Sequence, residues 1–350
     1  MNEVFSKRLV SARKLSGLSL RDLSDRMAIK LSAQAIGLYE KGKRKPDSST
    51  VIALSEALKV PVDYFFRDSK VQLGNVEFRK KSKLGIKKID QIKEHAIDYL
   101  ERYLEIESIL NITNAFNNPL KKQRIENNSD IENSVIGLRT SWKLGLNPVP
   151  NIIEMLEERG VKVVEFEVDK DFDGFSTWVD SIPLIVLNKS LDNVRKRFTV
   201  IHELAHLLLQ FNPSTKERDI ERFCHSFAGA FLIPEQSLKN IFKVSRKNFS
   251  IDELIEIKEY YGISVQALVY RLFNLDYISE HTLKNFFIEV RKNHLQDENE
   301  WGNYLGEESS SRFERLVYMA VSEEIISLSK AAQLMNRDLE SFRKGLKLIS

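Results

Sequence analysis

A short motif inside an apolar run places the strongest constraint on the fold of this chain. His202, Glu203 and His206 form the pattern His-Glu-x-x-His, and most of the flanking residues in 198–209 are apolar. Residues four positions apart lie on the same face of an α-helix, so both imidazoles can reach one metal ion. The motif therefore predicts a buried helix with two metal-ligating histidines. The alternative is a buried helix whose histidines bond to backbone or neighbouring side chains.

The same motif favours hydrolytic chemistry with zinc. A catalytic zinc ion takes three protein ligands and keeps one position open for water, whose pKa it lowers to about 7. Glu203, one step round the helix from the histidines, is the candidate base that takes the proton from this water. Two histidines and a carboxylate also suit other divalent metals, so the motif by itself does not exclude manganese or iron.

The third ligand is expected further along the chain. Residues 217–234 predict a second helix that ends at Pro234. Glu221 begins an apolar stripe on this helix and is the favoured third ligand. His225, one turn later, is either an alternative ligand or a residue that orients a ligand. A solvated carboxylate near the helix start remains the competing interpretation of Glu221.

Two segments, residues 197–209 and 221–234, resemble the ImmA/IrrE family of metallopeptidases in order and in character. The resemblance extends over roughly residues 150–290. In that family Ala-Asn usually stands where this chain has Cys224 and His225. The resemblance implies a Zn²⁺ site with three ligands and one base: His202, His206, Glu221 and Glu203.

A small β-sheet is predicted before the motif helix. Three segments with strand-like patterns support it, namely 161–168, 173–179 and 183–188. The second of these is the candidate edge strand, to which an extended peptide could add beside the metal. The alternative is that the aromatic residues Phe175 and Trp178 simply pack the sheet against the helices.

The N-terminal region predicts four or five short helices. Helix-spaced apolar residues occur in 4–16, 19–27, 32–42 and 48–58, and Gly42 is expected to close the third helix. The short turn between the second and third helices can place the third in the DNA major groove. This pattern resembles the Xre or Cro/repressor helix-turn-helix family over roughly residues 5–66.

The helix-turn-helix resemblance implies two groups of DNA contacts. Gln34 is the favoured base reader, because its amide donates and accepts as adenine requires. Gly37 replaces a serine that is frequent in this family. The residues expected to face bases or nearby phosphates are Ser32, Ala33, Gln34 and Gly37, and those suited to the phosphate backbone are Lys41, Lys43 and Arg44. A structural or protein-binding helical bundle is the alternative.

The charge distribution supports a nucleic-acid partner for the N-terminal part. Residues 1–93 contain 21 Lys and Arg against 10 Asp and Glu, whereas the rest of the chain contains 32 against 40. The net charge of +3 therefore hides a basic head and an acidic body. A basic head binds polyanions with an affinity that falls as salt rises. Part of the excess lies in 79–88, which a solvated linker would also explain.

We predict a mainly α fold with a small β-sheet (α+β) in four parts. These are a helix-turn-helix DNA-binding domain (1–67), a charged linker and long connecting helix (68–130), a zincin-like metallopeptidase domain (131–290) and a C-terminal helical region (291–350). Residues 111–130 are expected to form a polar loop, followed by a helix over 134–144. The chain lacks the apolar run of roughly 18 residues that a membrane span needs, so we expect a cytoplasmic protein.

These features predict a DNA-binding transcriptional regulator with a zinc endopeptidase domain. The family resemblance implies a protein substrate such as a repressor, while an operator in double-stranded DNA is the expected nucleic-acid partner. The alternative is a transcription factor or antitoxin whose peptidase-like domain serves as a sensor or protein-binding scaffold. A homodimer is expected if the operator is palindromic, because operator symmetry mirrors protein symmetry.

Overall fold

The computed structural model describes residues 2–67, 85–121, 123–169, 171–242, 249–292 and 301–346. The chain divides into two compact units, one formed by Met1–Thr113 with Glu314–Ser350 and the other by Asn114–Phe313. The predicted class is confirmed, because the described residues are mainly helical and contain two small sheets. None of the described helices is both long and apolar enough to cross a lipid bilayer.

Sixteen α-helices, one 3₁₀ helix and five strands occur in the described residues. The helices are α1 (Asn2–Leu15), α2 (Leu20–Arg26), α3 (Ala33–Glu40), α4 (Ser48–Leu58), α5 (Ile86–Ile109), α6 (Asn128–Ser141), α7 (Ile152–Glu158), α8 (Asn193–Leu208), α9 (Glu217–Leu232), α10 (Glu235–Phe242), α11 (Ile251–Tyr261), α12 (Val265–Asn274), α13 (Glu280–Lys292), α14 (Arg312–Ser322), α15 (Leu328–Leu334) and α16 (Leu339–Gly345). The 3₁₀ helix is Val62–Phe66, and the strands are β1 (Arg124–Ile125), β2 (Lys162–Phe166), β3 (Gly174–Val179), β4 (Ile182–Asn188) and β5 (Gln210–Phe211).

Local capping signals start the short helices of the first unit. Ser19 and Asp22 form a reciprocal capping box at the start of α2, and Ser32 and Asp47 cap α3 and α4. Gly42 follows α3 with a φ of +68°, a conformation that glycine adopts without steric cost, so the predicted helix end is confirmed. The apolar faces of these helices enclose one core that includes Leu9, Leu23, Ile36, Leu54 and Phe65.

The last helices of the chain pack within the same unit as the first. An Arg102 guanidinium nitrogen on α5 donates to the backbone oxygen of Leu334 at 2.6 Å, and Lys330 on α15 pairs with Glu105. Arg8 of α1 also pairs with Glu101 of α5, at 2.7 Å. The long helix α5 is therefore bonded both to the start and to the end of the chain.

A three-stranded sheet organises the second unit. β4 lies in the centre, with β2 parallel on one side and β3 antiparallel on the other. The segment expected at the edge of the sheet, 173–179, is confirmed there as β3. All of β4 after its first residue is buried, and α8 packs against β3 and β4. The sheet therefore packs against α8, the helix that carries the histidine motif.

The segment expected to be a polar loop, 111–130, is more ordered than predicted. Leu120 and Ile125 are buried in the core of the second unit, and β1 pairs in parallel with β5. Helix α6 begins at Asn128, six residues before the predicted start, because Asn127 and Asp130 form a capping box. Most of the expected charged linker, 68–84, lies outside the described residues. The four-part domain division stays a prediction.

Candidate metal centre and DNA-binding helix

Helix α8 brings the two motif histidines together. Asp192 caps the helix by accepting from the backbone N–H of Arg195 at 2.9 Å, and the apolar residues that follow bury one face in the core. His202 and His206 are half-buried, with their Nε2 atoms 3.1 Å apart. Two imidazole nitrogens at this separation can bind a single metal ion.

Helix α9 adds a carboxylate to this pair. Glu221 is buried, and its two oxygens lie 3.4 Å from His202 Nε2 and 3.6 Å from His206 Nε2. Ligands about 2.0–2.1 Å from a tetrahedral zinc ion are separated from one another by about 3.3 Å. These nearest separations, in which Glu221 faces each ring with a different oxygen, are close to that edge length, so the three side chains fit a metal ion placed between them.

The Nδ1 atoms of His202 and His206 differ in their hydrogen bonds. His206 Nδ1 lies 3.2 Å from the Cys224 sulfur, whereas His202 Nδ1 is buried without a hydrogen-bond partner among the described residues. On the other side of the rings, the two facing Nε2 atoms and the Glu221 carboxylate are donor groups that zinc binds. The donor set is therefore chemically consistent with a bound metal.

The glutamate of the motif is hydrogen-bonded to the sheet. Glu203 accepts a hydrogen bond from the Ser176 hydroxyl of β3 at 2.8 Å. Ser176 was not among the residues expected at the site, since a single serine within a strand-like segment carries no local signal. This bond joins the candidate base, which follows His202 directly in the chain, to the edge strand.

A third histidine, on α9, lies next to the cluster. His225 is exposed, and its ring centroid lies 4.4 Å from that of His202. Ligand atoms of His202, Glu221 and His225 all lie within 4.8 Å of one another. His225 Nδ1 donates to the Glu221 backbone oxygen at 2.6 Å. The structure thus brings His225 to the same place as the three predicted ligands.

Helix α3 presents its polar residues to solvent. Ser32 caps the helix through the Ala35 backbone N–H, and Gln34 is exposed in the first turn. Ala33 and Gly37 are half-buried. Glu40 at the other end accepts two bonds from the Arg13 guanidinium of α1, at 2.6 and 3.0 Å.

The predicted backbone contacts follow α3 directly. Lys41, Lys43 and Arg44 are exposed, and the Arg44 guanidinium lies 5.9 Å from the centre of the Tyr39 ring. Exposed cations at this position can reach phosphates without disturbing the core. The roles of these residues in binding DNA stay predictions.

Comparison with known families agrees with this arrangement. Residues 156–273 match the peptidase M78 family model, described as an IrrE N-terminal-like domain. Residues 9–65 match a helix-turn-helix family model. The two matches lie on separate parts of the chain. The predicted fusion is therefore confirmed, and the protein is a DNA-binding regulator with an IrrE-like, metallopeptidase-family domain. No curated protein matches the chain.

A buried ion pair anchors α8, the helix that carries the histidine motif, within the IrrE-like domain. Arg197 lies on α8 five residues before His202 and pairs with Glu308 at 2.8 Å, with both side chains almost fully buried. The remaining guanidinium hydrogens reach backbone oxygens of Val149, Pro150, Tyr261 and Gly262. Burial raises the pKa of Glu308, and the nearby positive charge of Arg197 opposes this rise.

Glu308 lies in a segment, 297–310, whose polar composition predicts only a loop. Its described part, 301–310, has no regular secondary structure, but Glu308 also accepts from the Ile153 backbone N–H at 2.7 Å near the start of α7. Arg197 and Glu308 are 111 residues apart in the chain. No periodicity or motif in a sequence connects residues so far apart, so the sequence does not predict this ion pair.

Proposed function

We propose that the IrrE-like domain is a zinc-dependent endopeptidase and that it cleaves a regulatory protein. The observation that carries this proposal is the position of Glu203. Its carboxylate is held by Ser176 next to three groups whose spacing suits a tetrahedral metal ion. A base beside an ion with one open position is the arrangement that metal-assisted hydrolysis requires.

The residues of this chain have separate roles in the proposed reaction. His202, His206 and Glu221 would hold the ion, and Glu203 would accept a proton from water and pass it to the leaving amine. Zinc, when bound, supplies a Lewis acid that polarises a carbonyl and acidifies water. Ser176 would orient the Glu203 carboxylate through its hydrogen bond. The metal identity rests on the family resemblance and on the histidine motif.

The edge strand supports a protein substrate over a small molecule. β3 pairs with β4 on one side only, and Trp178 on this strand is 38% exposed. An extended peptide can add to such an edge through its main chain, with pockets for alternate side chains. Ser176 lies within β3, so a peptide added along this strand would pass the Glu203 carboxylate.

The helix-turn-helix domain supports a regulatory role for this activity. Binding to an operator would hold the peptidase near other proteins bound to the same DNA and raise their effective concentration. A transcriptional repressor is the substrate that fits this placement. The chain itself, as a second copy, is a possible substrate of the same kind.

Metal content and cleavage test the proposal together. We expect about one zinc per purified full-length chain, lost in His202→Ala and Glu221→Ala but retained in Glu203→Gln. Incubation with protein extract of the source cell, followed by mass spectrometry of new termini, should reveal wild-type cleavage products. Glu203→Gln should form them about 10²–10⁴ times more slowly. A folded wild type that binds no divalent metal would overturn the proposal.

A second candidate function is a DNA-binding regulator or antitoxin whose IrrE-like domain senses metal or binds a partner without cutting. The proximity of His225 to the ligand cluster favours it, because four protein ligands are typical of structural zinc sites. This function predicts that Glu203→Gln leaves both operator binding and transcriptional control unchanged. A loss of control in that variant would instead support the endopeptidase.

A further inference from the structure

We infer that His225 is a fourth protein ligand, which closes the metal site at rest and leaves it when a substrate binds. This inference rests on the proposed metal site and adds a means of regulation to it. The family resemblance places asparagine at this position, so the closing ligand would be a property of this chain. Three observations carry the inference: the spacing of the residues on α9, the ring nitrogen that faces away from the backbone, and the exposure of the ring.

Each of two helices contributes a pair of residues four positions apart. α8 provides His202 and His206, and α9 provides Glu221 and His225. Residues at this spacing lie one above the other on the same helical face. Helices α8 and α9 pack together, and the His225 ring lies beside that of His202. Each helix can therefore offer two ligands to one ion once the His225 ring moves inward.

The hydrogen bond of His225 selects the nitrogen that can bind metal. A backbone carbonyl accepts and never donates, so the 2.6 Å contact with the Glu221 oxygen requires a hydrogen on His225 Nδ1. The lone pair of the neutral ring therefore lies on Nε2. Histidine ligands commonly bond one ring nitrogen to a carbonyl or carboxylate while the other binds the metal. His225 already has the tautomer that a ligand needs.

The position of the ring suits a ligand that can leave. The ligand atoms of His202, Glu221 and His225 lie within 4.8 Å of one another, compared with about 3.3 Å at the edge of a tetrahedral site. The His225 ring must therefore move inward before its Nε2 can reach a shared ion. Unlike buried Glu221, His225 is exposed, so its ring can swing into solvent without opening the core.

Closing the site has a functional consequence. A zinc ion with four protein ligands has no open position, which is typical of structural sites, whereas three ligands leave the position that catalysis uses. Departure of His225 would leave His202, His206 and Glu221 to hold the ion and would make room for a substrate carbonyl. The resting protein would thus be latent near DNA until a peptide on the edge strand displaces His225.

Zinc X-ray absorption of the full-length protein tests this directly, because it counts imidazole ligands. We expect three imidazoles in the wild type and two in His225→Asn, with one zinc per chain in both. His281→Asn is the matched control, since His281 is exposed on α13 and its imidazole contacts Asn285. This control should keep three imidazoles. Two imidazoles in the wild type and an unchanged spectrum in His225→Asn would overturn the inference.

Binding of acetohydroxamate to the cobalt-substituted protein gives an independent measurement, read from the visible absorption of the ion. If His225 occupies the open position, the probe must displace it, and the apparent affinity of the probe equals its intrinsic affinity multiplied by the fraction of open sites. We expect His225→Asn to bind the probe at least about tenfold more tightly than wild type or His281→Asn. Equal affinities would contradict the inference.

Failure of this inference can be distinguished from failure of the proposed site. Zinc that persists in His202→Ala, or a wild type without zinc, would reject the metal centre itself. One zinc per chain, lost in His202→Ala but bound by only two imidazoles in the wild type, would keep the metal centre and reject the role of His225.

Discussion

The DNA-binding helix and the metal centre differ in how their functional side chains are held. Gln34, Lys43 and Arg44 are exposed and lie on α3 or in the turn after it. The candidate metal ligands and their base come instead from two helices, and the base is bonded to a strand. The first surface is local in sequence, whereas the second exists only when the core of its unit is packed.

This difference has an energetic meaning. An exposed side chain can be replaced with little effect on folding, usually within about 0.5 kcal/mol. A site assembled from separate elements depends on the buried contacts that hold those elements in register. We therefore expect substitutions near the metal centre to affect stability, while substitutions on α3 affect mainly DNA binding.

The largest effect is expected for Arg197→Met. It leaves Glu308 buried without its partner, and breaking a buried pair in this way costs about 3–5 kcal/mol. Urea unfolding followed by tryptophan fluorescence measures it, because Trp142, Trp178 and Trp301 all lie in the second unit. Arg195→Met is the control, since Arg195 forms an exposed pair with Asp173, worth about 0–1 kcal/mol. Equal losses in the two variants would contradict the prediction.

The next effect depends on pH and concerns Glu157 of α7. Burial raises the pKa of Glu157 to about 7 from 4.5, although Ser310 and Lys162 lower it. The folded protein therefore holds this proton more tightly than the unfolded chain, and wild-type stability falls as pH rises from 4.5 to 7.

Glu157→Gln removes this dependence. Relative to wild type, the free energy of unfolding of the variant should rise by on the order of 1–3 kcal/mol between pH 4.5 and about pH 7, and it should not rise further above that range. Tryptophan-monitored unfolding at a series of pH values measures the gain. Glu158→Gln, at the exposed neighbouring position, should show no such trend. A common pH profile for both variants would reject the assignment.

A smaller effect on a different property is expected for Gln34→Ala. Losing a bidentate base contact costs about 1–3 kcal/mol of DNA affinity, measured on an operator selected from a random-sequence pool. The free energy of unfolding should change by less than about 0.5 kcal/mol. Lys43→Ala gives the contrast, because loss of a phosphate contact weakens binding to all sequences and lowers the salt slope by about 1. If both variants lose only sequence-independent affinity, Gln34 does not read bases.

The smallest effect is expected for Gly37→Ala. A Cβ at this position would meet only Leu20 Cδ1 at 3.7 Å, so alanine fits and should stabilise α3 by about 0.5–1 kcal/mol. Amide hydrogen exchange in residues 33–40 should slow about 2- to 5-fold. Gly174→Ala on β3 should act in the opposite direction, because its Cβ would lie 2.7 Å from the Val186 backbone oxygen. Stabilisation of the second unit by Gly174→Ala would contradict the comparison.

Local signals predicted most helices and strands. Caps such as Ser19, Ser32 and Asp192 have their bonding partners within a few residues, so the starts of α2, α3 and α8 follow from short stretches of sequence. No predicted helix corresponds to α7, α10 or α13, and the predicted start of α6 lies six residues too late. The polar residues of the α6 capping box resemble those of a loop, so their composition does not mark the start of the helix.

The sequence by itself determined the histidine motif, the ends of most elements and the basic helix-turn-helix, because each depends on residues close together in the chain. Only the tertiary structure decided that Ser176 orients Glu203, that Glu308 pairs with Arg197, and that α15 returns to α5. Those contacts join distant residues, and their partners are selected by packing of whole elements. Local patterns record how an element begins, ends and buries one face, but not which side chain it meets.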